Sequence, residues 1–314
     1  MNNPSISICI PAYKNKAFLE RLLDSIKIQS YKNFEVVITD DSPDNDLFEL
    51  CQRYNDYFDL NYFKNPLNLN TPENWNEAVK KAKYEWIKIM HDDDWFVDAE
   101  SLAHFAKTIC VNPSVCFFFS AYQNIYFDEN RNQKMYLSLY WKSLLKFNPE
   151  ILISRNVIGP PSVILYKKSS LQYDNSMKYV VDIDFYTSYL SSNKFLYIPQ
   201  VLINVGIHSS QVTKYTFGFS DYQFKEGIIM MMKKNDHYFQ NLIVYDGWWR
   251  LLRNFEITSS EIFKSYSLSA RHFDVIKSMI ERQNLFGKRV LKNGIASKII
   301  MFQSYLRAFI SRTI

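Results

Sequence analysis

Between Tyr84 and Trp95 the chain reads Tyr-Glu-Trp-Ile-Lys-Ile-Met-His-Asp-Asp-Asp-Trp, and its chemistry is most concentrated from His91 to Asp94. Three adjacent carboxylates repel one another, so fixing them in a crevice raises at least one pKa and costs stability. A divalent cation removes that cost. Hard oxygen donors suit Mg²⁺ or Mn²⁺, which keep part of their water and take up phosphate oxygens from a substrate. The competing reading is a solvated acidic turn that caps the helix after it, from Ala99 to Ile109. Two further acidic points stand out, Asp40-Asp41 and the Asp182-Ile183-Asp184 triplet. A carboxylate can take a proton from an attacking hydroxyl when it is held within hydrogen-bond reach of it. Asp182 and Asp184 read equally as a helix cap and a first-turn charge favoured by the dipole.

Several elements must bring these acids together. Trp86, Ile87, Ile89 and Met90 have the apolar, partly β-branched character of a buried strand, which places the Asp triplet at its C-terminal end. Ile6 to Ile10 predicts a first strand ended by Pro11, and Phe34 to Thr39 a second that stops at Asp40 and Asp41. Helical spacing of Phe18, Leu19, Leu22, Leu23 and Ile26 predicts a helix to about Gln29, and Leu47, Phe48, Cys51 and Tyr54 predict another. A strand at Leu60 to Phe63 follows, then a helix from Thr71 to Lys83 with Thr71 as its cap and Pro72 at its first position. This β-α alternation is the pattern of a parallel sheet with right-handed crossovers, where ligands bind beyond the strands' C-terminal ends. Later strands are expected at Ser114 to Ser120 and Val163 to Tyr166, with an aperiodic Tyr122 to Phe147 between them and a helix running to about Leu190.

Composition narrows the classes. The chain is 47% hydrophobic and 17% aromatic, enough for a large core, and its net charge of +5 does not by itself mark a nucleic-acid binder. Cys9, Cys51, Cys110 and Cys116 form no C-x-x-C pair, so neither a zinc site nor a redox motif is suggested. The first glycine is Gly159, which excludes both a dinucleotide-binding G-x-G-x-x-G and a P-loop upstream of it. A nucleotide on this sheet has to be held by side chains and a metal. With no signal-like N-terminus and no apolar run long enough to span a bilayer, the reading is a cytoplasmic protein, soluble or attached to the inner face of the cell membrane.

Four segments in order, Ile8-Cys9-Ile10-Pro11-Ala12-Tyr13, Val36-Val37-Ile38-Thr39-Asp40-Asp41-Ser42, Asn68 with Asn74-Trp75-Asn76, and His91-Asp92-Asp93-Asp94, resemble those of family 2 glycosyltransferases over roughly the first 210 residues. The resemblance implies a GT-A fold, an open, mainly parallel α/β sheet flanked by helices, and transfer of a sugar from a nucleotide-diphosphate donor, UDP the expected nucleotide, with inversion. It assigns Pro11, Tyr13, Asp40, Asp41, Asn76, His91 and Asp92 to the donor side, Asp93 and His208 to the Mg²⁺ or Mn²⁺, and Asp182 to the base, with Asp184 the near alternative. His91 departs from the family's D-x-D, which begins with Asp. A saccharide or lipid-linked acceptor in bacterial surface polysaccharide synthesis is implied by the same route. Two other classes compete: a sugar-phosphate nucleotidyltransferase, which wants a Gly-rich basic loop that Ile10 to Lys16 lacks, and a non-catalytic interaction module of the same fold.

The expected division is a catalytic domain over 1–214 and a mostly helical region over 215–314. In the latter, Ile228 to Met232 and Trp248, Trp249, Leu251 and Leu252 predict helices with wide apolar faces, and the methionines read as core. Ile295, Ile299, Phe302, Leu306, Phe309 and Ile310 share one helical face among Lys288, Arg289, Lys292, Lys298, Arg307 and Arg312, with no acid after Glu281. Such a helix lies on an anionic membrane, or docks on its own domain or on a second subunit of a homo-oligomer.

Overall fold

The computed structural model of the chain describes residues 3–129, 131–208 and 221–309. The chain separates into two compact units, Met1–Phe147 with Val157–Tyr215, and Asn148–Asn156 with Thr216–Ile314.

The first unit is an α/β sheet. Strands β1 (Ile6–Ala12), β2 (Phe34–Asp40), β3 (Asp59–Lys64) and β4 (Trp86–Ile89) are linked by helices α1 (Lys16–Lys27), α2 (Asp46–Gln52) and α3 (Glu73–Lys81) and lie in the order β3-β2-β1-β4, all parallel. Every residue of β2 and β4 is buried, Glu35 and Lys88 included, and both read as mainly apolar runs, whereas β3 at the edge is half-exposed and carries Asp59, Asn61 and Lys64. Beyond β4 come β8 (Ile164–Lys167), β6 (Phe117–Tyr126), β9 (Phe195–Ile207) and the two-residue β5 (Trp95–Phe96), with β7 (Arg131–Met135) paired to β6. Helices α4 (Ser101–Val111), α5 (Leu139–Phe147) and α6 (Val181–Leu190) complete the unit.

Three expectations are corrected. β1 runs through Pro11 to Ala12: its pairing with β4 ends at Cys9, so Pro11 retains only β2 as a neighbour, opposite Thr39, and its missing N–H interrupts no ladder. Helix α3 starts at Glu73 after Pro72, with no side-chain cap from Thr71; the amides of Asn74 and Trp75 reach the carbonyls of Asn70 and Pro72 instead. The Tyr122–Phe147 stretch holds regular elements, as β6 continues to Tyr126, β7 pairs antiparallel to it and α5 follows. Exposed polar residues on β7 hide its period, since only Met135 there is even half-buried.

In the second unit, α7 (Asp221–Met232), α8 (Leu242–Asn254), α9 (Ala270–Asn284), α10 (Lys288–Lys292) and α11 (Gly294–Phe309) enclose one core. Met230, Met231, Trp248 and Trp249 are buried, as the apolar spacing predicts. Aromatic polar groups inside need partners. Trp248 Nε1 donates to Tyr238 Oη at 3.2 Å, Trp249 Nε1 to Ser297 Oγ at 3.1 Å, and Tyr245 Oη and Ser304 Oγ lie 2.8 Å apart. Helix α11 therefore turns Ser297 and Ser304 inward, beside Ile300 and Met301. Ile310 and Arg312 lie outside the described residues, as does Gln211-Val212-Thr213 after His208.

Candidate active site

The C-terminal ends of β1, β2 and β4 bring two acidic clusters to one sheet edge. At the end of β2, Asp40 is fully buried and accepts three hydrogen bonds: Ser42 N donates to Oδ1 at 2.7 Å, and Tyr62 Oη and Lys64 Nζ donate to Oδ2 at 2.5 and 3.0 Å. Burial and the Asp40 charge together push the Tyr62 phenol upward, so Tyr62 stays a donor. Asp41 takes Asn65 Nδ2 at 2.7 Å and Leu69 N at 3.1 Å on Oδ1, and Asn70 N at 2.9 Å on Oδ2. Its carboxylate thus shapes the loop between β3 and α3. Asn65 also donates to Asn74 Oδ1 at 2.9 Å, and Asn74 Nδ2 reaches Thr39 O at 3.2 Å, which ties that loop to the strand ends. Asn76 builds a different wall: it takes Tyr173 N at 2.9 Å and donates to Tyr173 O at 2.8 Å and Asn175 Oδ1 at 3.2 Å.

The end of β4 is different in kind. His91, Asp93 and Asp94 offer donor atoms that all lie within 4.8 Å of one another. Asp94 points inward, taking Gly206 N at 3.1 Å and a hydrogen bond from Ser162. Asp93 Oδ2 lies 3.1 Å from His208 Nε2, and Asp92 Oδ2 lies 3.5 Å from Tyr13 N, at the end of β1. Tyr13 itself is exposed, and Pro11 sits half-buried beneath that turn. Burial and the neighbouring Asp93 charge push the Asp92 carboxyl up to about 8 and the Asp94 carboxyl well above the carboxylate range. Burial pulls the His91 imidazole down, and its Nε2 has no hydrogen-bond partner among the described residues. Carboxyls pushed up by burial and by one another's charge, beside an imidazole pulled down with an open nitrogen, are a donor set that fits a divalent cation.

Five residues of this site carry no separate signal as catalytic groups in the sequence. Ser162 Oγ takes His91 N at 2.9 Å while hydrogen-bonding Asp94, so one hydroxyl sets both ends of the acidic turn. Lys88, fully buried inside β4, donates to the carbonyls of Ser162 and Ile89; burial lowers its pKa to about 7 against the pull of Asp94. A lysine within an apolar run is itself the readable sign of such a partner. Gly206 is required by close approach, since a Cβ there would meet Asp93 O at 2.4 Å. The Arg21 guanidinium lies over Phe18, Trp95 and Phe127 at 5.3, 4.7 and 4.7 Å, and Phe18 packs on His208 at 4.8 Å. Trp75 lies between His91 at 4.8 Å and Tyr173 at 5.2 Å, and Tyr173 stacks on Phe185 of α6 at 4.2 Å.

Asp182 and Asp184 both fall in the first turn of α6, whose cap position is Val180. Asp184 is buried, whereas Asp182 is half-exposed and its charge reaches Tyr173 and Tyr186.

Comparison with known proteins follows the same lines. A family model described as "Glycosyl transferase family 2" matches residues 7–172. An uncharacterized glycosyltransferase of Haemophilus influenzae is 32% identical over 115 residues, 36% of this chain and 37% of that protein. The chain thus aligns with little more than a third of that relative's length. An Escherichia coli protein named UDP-Glc:alpha-D-GlcNAc-diphosphoundecaprenol beta-1,3-glucosyltransferase WfaP is 30% identical over 131 residues, 40% of this chain and 47% of that one. Among solved structures, S. aureus TarS 1-349 in complex with UDP superposes with a TM-score of 0.55 at 16% identity, covering 98% of this chain and 82% of that one. Mannosyltransferase PcManGT from Pyrobaculum calidifontis, in complex with GDP-Man and Mn²⁺, gives 0.53 at 14% identity, covering 98% and 86%. At such identities the two structures speak to the fold, which they share with this chain.

Proposed function

Since this chain belongs to glycosyl transferase family 2, we propose that it transfers a sugar from a nucleoside diphosphate, UDP for preference, to an acceptor hydroxyl with inversion. The observation that carries this reading is the convergence of His91, Asp93 and Asp94 at the end of β4, beside the ends of β1 and β2. Asp41 holds the loop over the nucleotide side with three of its acceptor positions, which leaves one lone-pair direction for a base N–H. Tyr13, exposed at the end of β1, supplies a flat face for the nucleotide. Bound between Asp93 and its neighbours, Mg²⁺ or Mn²⁺ would neutralise charge on the departing diphosphate. His208 orients the Asp93 carboxylate, and Ser162 and Gly206 orient that of Asp94.

Inversion needs a base on the acceptor side of the anomeric carbon, and we assign it to Asp182. Its half-exposed carboxylate can meet an acceptor, whereas that of Asp184 is enclosed. The acceptor we propose is lipid-linked or a saccharide, met at the inner face of a bacterial membrane during surface polysaccharide synthesis; the diphosphoundecaprenol named for the E. coli relative supports the lipid-linked form. A thermal-shift panel of nucleotide sugars with and without Mn²⁺ tests the donor side, because a ligand of the folded state raises its stability. Asp182→Asn should keep the donor's shift and lose transfer by about 10³-fold. An active Asp182→Asn removes it as base, a donor shift that does not need Mn²⁺ removes the metal, and no shift with any donor removes the transferase reading.

A further inference from the structure

Soluble helices bury apolar residues and expose polar ones, and α11 does the reverse over part of its surface. Its inner face carries Ser297 and Ser304, committed to Trp249 and Tyr245. On its outer face Ile295, Ile299 and Phe302 are 77%, 56% and 46% exposed. At 3.6 residues per turn these three and Leu306 span an arc of about 60°, with Lys298 on one flank and Arg307 on the other. Leu285 and Val290, just upstream, are also exposed. Arg289, Lys292, Lys298 and Arg307 are exposed as well, while Lys288 is answered by Glu256 at 2.6 Å. No carboxylate side chain occurs in the sequence after Glu281.

From this we infer that the outer face of α11 docks on an anionic lipid bilayer, with Ile295, Ile299 and Phe302 entering the acyl boundary and the flanking cations meeting headgroup phosphates. The charge pattern selects this occupant over a second copy of the chain. A two-fold contact through the same face would bring the Lys298 and Arg307 flanks of the two copies together, with no acid on the helix to answer them. No helix among the described residues is long and apolar enough to cross a membrane, so the contact is interfacial. The inference stands on these residues alone and holds whatever sugar or acceptor the first unit uses.

The test is co-sedimentation of the full chain with vesicles of phosphatidylglycerol and phosphatidylcholine in equal parts, against pure phosphatidylcholine. Binding is expected to the anionic vesicles only, and to fall steeply between 0.1 and 0.5 M NaCl. Ile299→Glu with Phe302→Glu should lower it at least tenfold, and Lys292→Glu with Lys298→Glu should also lower it, by about fivefold for each cation lost. All four side chains are exposed, so circular dichroism and the melting temperature should match wild type in both variants. Absence of binding to anionic vesicles, or binding that neither variant weakens, overturns the proposal. So does a dimer in light scattering that the Ile299→Glu, Phe302→Glu variant dissociates, which would give the face to a second copy.

Discussion

The two acidic strand ends of the first unit solve the same electrostatic problem in opposite ways. At the end of β2 the chain answers its own charge: Asp40 and Asp41 between them accept hydrogen bonds from Ser42, Tyr62, Lys64, Asn65, Leu69 and Asn70. At the end of β4 it does so only in part: His208, Ser162, main-chain amides and the charges of Lys88 and Arg21 reach the three carboxylates, yet two of the three are pushed toward their protonated forms. A carboxylate satisfied by the chain builds structure. One left short of counter-charge is poised to receive a ligand's.

Asp93→Ala should show that contrast at its largest: Mn²⁺-dependent donor binding and turnover fall by roughly 10³-fold with the fold intact. Unchanged turnover would put the two ends in one class. Asp41→Ala should act the other way, destabilising the fold by about 3 kcal/mol in urea unfolding as three donors lose their acceptor. Mn²⁺ affinity in that variant should stay near wild type, and a large loss there would mean that the ends are not separable. Ser162→Ala is a smaller probe, expected to weaken Mn²⁺ binding by about tenfold in calorimetry while melting close to wild type.

The smallest effect is in pH. Because the folded Asp92 carboxyl titrates near 8 instead of 3.8, the folded chain holds more protons than the unfolded one between those values. In EDTA its contribution to stability is therefore full at low pH and fades as pH rises toward 8. Melting temperature should fall over pH 5 to 8 in EDTA, more steeply than in Asp92→Asn, and Mn²⁺ should flatten the slope. Equal slopes for the two proteins would show that Asp92 is ionised throughout.

Much of this arrangement is legible in the residues. The apolar runs of β1, β2 and β4 and the acids that end them show up because strands buried on both faces are mostly apolar, with only Ser7, Glu35 and Lys88 interrupting them before their ends, so each boundary is abrupt. Ser162, Gly206 and Lys88 are harder, since their meaning lies in partners 71 to 112 positions away, beyond the reach of any local period. Ser162 meets His91 71 residues upstream. Helix α11 marks another limit. Periodicity identifies which residues share its face, but whether that face looks in or out depends on Trp249 and Tyr245, which claim its serines for the interior.

The line of rings from His91 through Trp75 and Tyr173 to Phe185 couples the metal-side turn to the helix that bears Asp182. Rings in contact resist compression far better than loops do, so under the proposed assignment this column would act as a spacer between the leaving-group end and the attacking end of the reaction. Shortening it, as with leucine in place of Trp75, would change how large an acceptor can be seated without altering any group that takes part in bond making.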